Sequence, residues 1–286
     1  MPAKAQLVAS YWTISGDVYA GGPTEVSPFD FRARIETAAK VGYKGVGLIL
    51  ADVMAVSSRI GFPAMKKILA DNGMSYVELE IISDWYAEGE RRKKSDKVRA
   101  DILRAAEQLG ARHVKICGDV QQGHWEMPRL IETFRDLCGE AERAGTLIAL
   151  ELMPFTNIKT IELGLEIVNG AGAKNGGLMF DIWHIARGNI PFEKMKAFPK
   201  ELLSWVEIDD ADAQQVGTLW EDTLFHRKLC GEGALDVPAF IKAIKAIGYA
   251  GAYGVEIISE THRRLPLAVA AQRSFDTAIK QFDKLG

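Results

Sequence analysis

Cysteine is scarce. Cys117, Cys138 and Cys230 are the three in 286 residues. They are an odd number at wide spacing with no CxxC pair, which excludes a disulfide framework or a cysteine-built zinc site and fits a reducing, cytoplasmic compartment. An excess of basic charge is also missing. Lys and Arg number 35 against 38 Asp and Glu, a net charge of −3, whereas proteins that grip nucleic acid or an anionic membrane are usually basic. No run approaches the roughly 18 apolar residues of a membrane span. Met1–Leu7 lacks a basic segment followed by an apolar one, so no signal peptide is expected. Low-complexity linkers are absent. What remains is a chain that is 48% hydrophobic and 26% charged, with enough apolar material for a large core, which excludes disorder as its main state.

Eight apolar or alternating runs read as strands: Gln6–Ile14, Gly45–Leu50, Ser75–Ile82, His113–Cys117, Leu147–Leu152, Leu178–Ile182, Leu203–Ile208 and Ala252–Ile257. Helix-period stretches lie between them at Phe31–Val41, Ala64–Asn72, Ser95–Leu109, Met127–Ala144, Lys159–Asn169, Phe192–Phe198 and Val237–Ile247, and Leu265–Phe282 closes the chain. Gly42, Gly73, Gly110 and Gly145 fall where helices should stop, because glycine takes the left-handed residue after a helix at little cost. Strands alternating with helices imply a parallel sheet with crossover helices. Eight such units predict an α/β fold, a single-domain (β/α)8 TIM barrel over residues 1–286. The alternative is an open doubly wound sheet, which usually carries a GxGxxG phosphate loop after its first strand. Here that place reads "YWTISGDVYAGG". The one charge run, Arg91–Lys94, reads as a solvated entry to a helix.

In such a barrel the active site lies at the C-terminal ends of the strands. Strands five to eight each end on an acid: Glu151 in "IALELMP", Asp181 in "GLMFDIWH", Glu207 in "SWVEIDD" and Glu256 in "YGVEI". One acid at a strand end is ordinarily a solvated or paired residue. Four on consecutive strands would converge, and they cannot all ionise at close range without a counter-charge. A divalent cation is the simplest remedy, and all-oxygen donors suit Mg2+ or Mn2+ better than zinc. His184, three residues past Asp181, and Arg227, ahead of "CGEGALD", stand where they would reach the same mouth. An arginine there suits a substrate oxygen or phosphate. Glu80 in "YVELE", Lys115 in "HVKIC" and Trp12 are further substrate-side candidates, and the ordinary reading of each is a paired or core residue. An inward Lys115 would favour a substrate bearing a carboxylate, and with it lyase chemistry. Asp209 and Asp210 lie close by, with their strand parity open.

With these residues in place the sequence resembles the xylose-isomerase-like TIM-barrel family of sugar phosphate isomerases and epimerases. The resemblance covers nearly the whole chain. It rests on "ALELMPFTN", "FDIWH", "AAEQLGARHVKI" and, most specifically, "HRKLCGEGALDVPAFIKAIKAIGYAGAYGVEI". The family includes ketose 3-epimerases, inosose dehydratases, dehydroshikimate dehydratases, keto-acid decarboxylases and endonuclease IV. The resemblance implies one divalent metal held by Glu151, Asp181 and Glu256, with His184 and Arg227 on the substrate. The fourth family ligand is usually a histidine on strand seven, where this chain has Glu207, and a carboxylate there keeps the site but makes it harder and more anionic. The implied function is a metal-dependent isomerase or epimerase acting on a keto-sugar through a metal-stabilised enediolate, with Glu151 and Glu256 as acid and base. A dehydratase or decarboxylase, and a non-catalytic sugar-binding barrel, remain as alternatives. The partner implied is a small carbohydrate, and the oligomeric state stays open. A DNA-repair activity is disfavoured, since endonuclease IV needs a histidine-rich three-metal site and this chain has five histidines, at 113, 124, 184, 226 and 262.

Overall fold

The structure is a computed structural model that describes residues 5–285. The first four residues of the leader reading therefore lie outside the described residues. The strands are β1 (Leu7–Ala9), β2 (Gly45–Ile49), β3 (Tyr76–Ile82), β4 (His113–Cys117), β5 (Leu147–Glu151), β6 (Gly176–Asp181), β7 (Leu203–Ile208) and β8 (Tyr253–Val255). They pair in parallel, each with the next, and β1 closes on β8, so the sheet is a closed eight-stranded barrel and not an open one. No helix among the described residues is long and apolar enough to cross a membrane.

The period-two alternation of each strand separates two layers. Val77 and Leu79, Val114 and Ile116, Ile148 and Leu150, Leu178 and Phe180, Val206 and Ile208, and Tyr253 and Val255 join the large core under the helices. The alternate residues face the barrel axis. A small apolar plug of Val8, Ala149, Met179, Trp205 and Ala252 fills its lower part. One step further along the strands the same inward rows carry Glu80, Lys115, Glu151, Asp181 and Glu207, all buried. The interior is therefore packed below and ionic above.

The edges of several elements differ from the sequence reading. The first run, Gln6–Ile14, is strand only to Ala9, and Tyr11–Ile14 coils into a helical turn. The hydroxyl of Thr13 donates to the Val255 carbonyl and accepts from the Ile257 amide. This tucks the turn over the end of β8 and ends that strand at Val255, short of the expected Ile257. A short apolar run such as "YWTI" does not distinguish helix from strand by its period. The helix expected at Ala64–Asn72 begins at Leu50 and is broken at Gly61, whose φ is 78°. The run Arg91–Lys94 lies inside the helix Gly89–Leu109. Lys93 and Lys94 are exposed as expected, but Arg91 turns inward and bridges Asp84 at 2.5 Å and Asp119 at 2.8 Å.

Candidate metal centre

Glu151, Asp181, Glu207 and Glu256 each offer an oxygen, and these oxygens all lie within 4.8 Å of one another. The four sequence-predicted ligands are thus brought together at the C-terminal mouth. A second grouping joins Glu151 and Asp181 with His184. Asp181 Oδ1 accepts the amides of Trp183 and His184 and so caps the helix Ile182–Arg187, a cap that fixes the carboxylate by local hydrogen bonds. Glu207 lies across β8, where a Cβ on Gly254 would stand 2.7 Å from its Cγ. Only glycine leaves room for the carboxylate there.

Two cations are built into the same cluster. Lys115 Nζ lies 2.5 Å from Glu207 Oε1, 3.0 Å from Glu256 Oε1, 3.5 Å from Glu80 Oε1 and 3.9 Å from Glu78 Oε1. Arg227 Nη1 donates to Asp181 Oδ2 at 2.6 Å and also to Asp209, with Glu256 Oε2 at 3.1 Å. Its guanidinium lies 5.2 Å from the centre of the Trp183 ring. Burial opposes the charge on both cations, but the carboxylates around them hold Lys115 and Arg227 well above their ordinary pKa values.

The carboxylates outnumber these two cations, and their titration shows the imbalance. Burial, followed by neighbouring acids that Lys115 only partly offsets, pushes Glu151 and Glu207 well above the usual carboxylate range. Burial and the adjacent Asp181 do the same to Asp209. Burial lifts Glu80 to about 7 against the pull of Lys115. Burial and then Arg227 press His184 well below its ordinary value, so its imidazole is neutral. Glu151 Oε1, Glu207 Oε2 and His184 Nδ1 are buried and have no hydrogen-bond partner. Orphaned buried acceptors in an acid-rich cluster call for a cation, and an all-carboxylate donor set is that of a hard divalent ion. The residues present therefore fit a divalent metal.

A cavity of about 640 Å3 opens above this cluster. Trp12, Glu80, Glu151, His184, Arg227 and Glu256 line it, and the Trp12 indole donates to Glu80 Oε2 at 3.2 Å. Asp181, Glu207 and Lys115 are buried behind its wall, so Lys115 is engaged by carboxylates and does not present its charge to the cavity. Strand parity separates the two acids after Glu207. Asp209 points in and meets Arg227. Asp210 points out, accepts the amides of Gly231, Gly233 and Leu235, and so ties down "CGEGALD". A Cβ on Gly233 would meet the Ala211 carbonyl oxygen at 2.3 Å, which accounts for that glycine. The sequence reading passed over Ser10 and Glu78. Ser10 donates to Glu207 Oε1 at 2.8 Å, and Glu78 faces Lys115 and, at 3.4 Å, His113. The alternation "VELE" already placed Glu78 on the same face as Glu80.

The model of the xylose isomerase-like TIM barrel family matches residues 35–280. Inosose isomerase of Bacillus subtilis is 28% identical over 156 residues, 54% of this chain and 55% of that protein. 3-Dehydroshikimate dehydratase of Pseudomonas aeruginosa is 24% identical over 242 residues, 82% of this chain and 37% of that one. The match to the curated relatives thus spans about half of their length or less. The crystal structure of the IOLI protein with a bound zinc atom superimposes with a TM-score of 0.85 at 20% identity, covering 98% of this chain and 99% of that one. A D-psicose 3-epimerase crystallised with D-fructose gives 0.73 at 16% identity, covering 98% and 100%. At these identities the superpositions show the fold.

Proposed function

From the premise that the chain belongs to the xylose isomerase-like TIM barrel family, we propose that it is a divalent-metal-dependent isomerase or epimerase that moves a proton beside the carbonyl of a keto-sugar or sugar derivative. The observation that carries this reading is the meeting of Glu151, Asp181, Glu207 and Glu256 within 4.8 Å, with Glu151 and Glu256 lining a cavity. These residues would hold the ion, and Mn2+ or Mg2+, when bound, supplies Lewis-acid polarisation of substrate oxygens. Glu151 and Glu256 reach the cavity from β5 and from the end of β8. Glu151, whose Oε1 is buried without a hydrogen-bond partner, faces the substrate from the β5 side as one member of the acid–base pair. Glu256 stands between Lys115 and Arg227 and takes a proton from the substrate carbon. Two carboxylates on different strands that face one substrate carbon are placed to pass a proton between them. His184 offers its free Nδ1 to a substrate hydroxyl, and Arg227, its donors taken up by Asp181, Asp209, Thr223 and His184, holds these groups in place at the same wall.

A second reading is a lyase. The similarity to a dehydratase extends over 82% of this chain, and the same pair of carboxyl groups is placed to protonate a departing hydroxyl. The two readings separate on incubation with keto-sugars and keto-sugar acids in D2O with Mn2+, followed by NMR. Deuterium uptake without loss of atoms identifies an isomerase, and release of water or CO2 a lyase. Glu151→Gln removes one member of the acid–base pair and is expected to cut either rate at least a hundredfold, in line with general acid–base catalysis of about 10²–10⁴-fold. A wild-type chain that neither binds Mn2+ nor exchanges deuterium with any of these substrates is a binding barrel, and the proposal fails.

A further inference from the structure

The cavity is larger and more apolar than the chemistry at its floor requires. Its volume of about 640 Å3 lies within the roughly 300–1,000 Å3 of pockets that enclose drug-sized ligands. Its ionic groups are Glu80, Glu151, His184, Arg227 and Glu256, with Glu25 nearby. Much of the remaining wall is apolar: Ile49 and Leu50 at the end of β2, Met54 in the helix that follows, and Ile81 and Val98. A polyhydroxylated ring laid against that wall would leave hydroxyls without partners, at a cost in desolvation. An apolar group laid there is rewarded by the area it removes from water.

The rim points the same way. Among the described residues the two most exposed large apolar side chains are Val120, 51% exposed, and Trp220, 47% exposed. Both stand at the mouth of this cavity and also line the neighbouring groove of about 560 Å3. Trp220 sits edge-on to Phe155, with ring centres 5.5 Å apart, and Phe155 in turn lies 5.7 Å from the His184 ring. A continuous apolar surface thus runs from the groove, over the rim, to the polar floor. Exposed aromatics at the entrance to a pocket are the mark of a surface that meets a ligand.

We infer that the substrate is amphipathic: a keto-sugar or related polyol ketone bearing an apolar, ring-sized substituent, with its polar part on Glu151, His184 and Glu256 and its substituent against the β2–β3 wall and Trp220. This inference rests on the enzyme reading of the same site and names its substrate class.

The test compares two unreactive probes, phenyl β-D-glucopyranoside and methyl β-D-glucopyranoside. Each is titrated into the Mn2+-loaded full chain and followed by calorimetry, with Mn2+ affinity measured on the same preparation. The phenyl glycoside is expected to bind at least tenfold more tightly. Trp220→Ala, at a half-exposed site whose loss the fold tolerates, is expected to reduce that ratio at least threefold, and Met54→Glu, which places a charge on the apolar wall, to abolish it. Affinities within twofold of each other in the wild type overturn the inference, as does the absence of saturable phenyl glycoside binding. Failure of the wild type to bind Mn2+ counts against the metal-dependent enzyme reading instead, and the ratio of the two glycosides still decides the substrate class.

Discussion

Lys115 shows how much one buried charge decides. It is 1% exposed and meets carboxylates from β3, from β7 and from beyond β8, so it acts as an internal counter-ion where a metal would act as an external one. Removing one partner of a buried ion pair costs about 3–5 kcal/mol, because the other is left uncompensated. Lys115→Met is therefore expected to lose that much stability to urea in metal-free buffer and to regain part of it with Mn2+. Its Mn2+ affinity should exceed that of the wild type, because the ammonium no longer competes for Glu207 and Glu256. Glu207→Gln should move affinity the other way, at least tenfold weaker, since it removes a negative charge at ion-pairing range. Calorimetric titration reads both, and equal affinities in the three proteins would exclude Lys115 and Glu207 from the metal's surroundings. The four acids were legible as strand ends preceded by apolar residues. The role of Lys115 was not, because its direction is set by parity and its partners lie on other strands.

Elements were legible where their period was long and their ends carried glycine. The helix Val237–Ile247 and the strands His113–Cys117 and Leu203–Ile208 fall at the residues expected from sequence. Pieces of four to seven residues were missed, among them Leu219–Phe225, because one or two turns leave too little pattern. Leu219–Phe225 is held by contacts distant in sequence, such as Arg187 Nε donating to Asp222 Oδ2 at 2.7 Å, which exist only once the strands are assembled. The alternation of β4 also places His113 inside the barrel, fully buried, its ring 4.6 Å from that of Trp205. Burial lowers its pKa to about 4, so the native imidazole is neutral while the unfolded chain takes up a proton near 6.5. Stability from this group is complete above about pH 6.5 and falls as the pH drops toward 4, by about 3 kcal/mol at 1.36 kcal/mol per unit. The acids whose pKa values are raised act in the opposite sense, and they are common to wild type and variant. Urea unfolding at pH 7, 5.5 and 4 should therefore show a smaller acid loss in His113→Gln than in wild type. Parallel curves would mean that His113 is not buried neutral.

The barrel as a whole follows from arithmetic that the sequence displays: eight strand signals, each paid out with a crossover helix, in a chain long enough to close. The shape of the cavity does not follow from it, because loop and rim residues such as Val120, Trp220 and Ile49 acquire a common wall only when the ring is shut. Closure itself rests on the shortest strands, since β1 and β8 are three residues each and pair through Leu7, Val8 and Ala9. The proposed ligands lie on the strands from β5 round to this seam. An ion bound there would join the second half of the ring and would bind the native state alone. At a hundredfold excess over its Kd such an ion adds about 2.7 kcal/mol, so saturating Mn2+ should raise the melting temperature by several degrees and EDTA should reverse the rise. Glu151→Gln, which removes one of the four carboxylates, should show a smaller shift at the same Mn2+ concentration. Because every strand depends on both neighbours, the melt should remain one transition with and without metal, with calorimetric and van't Hoff enthalpies in agreement. Two separated transitions would contradict a single cooperative domain. A melting temperature indifferent to saturating Mn2+ would place the ion elsewhere than across the strands that hold the ring closed.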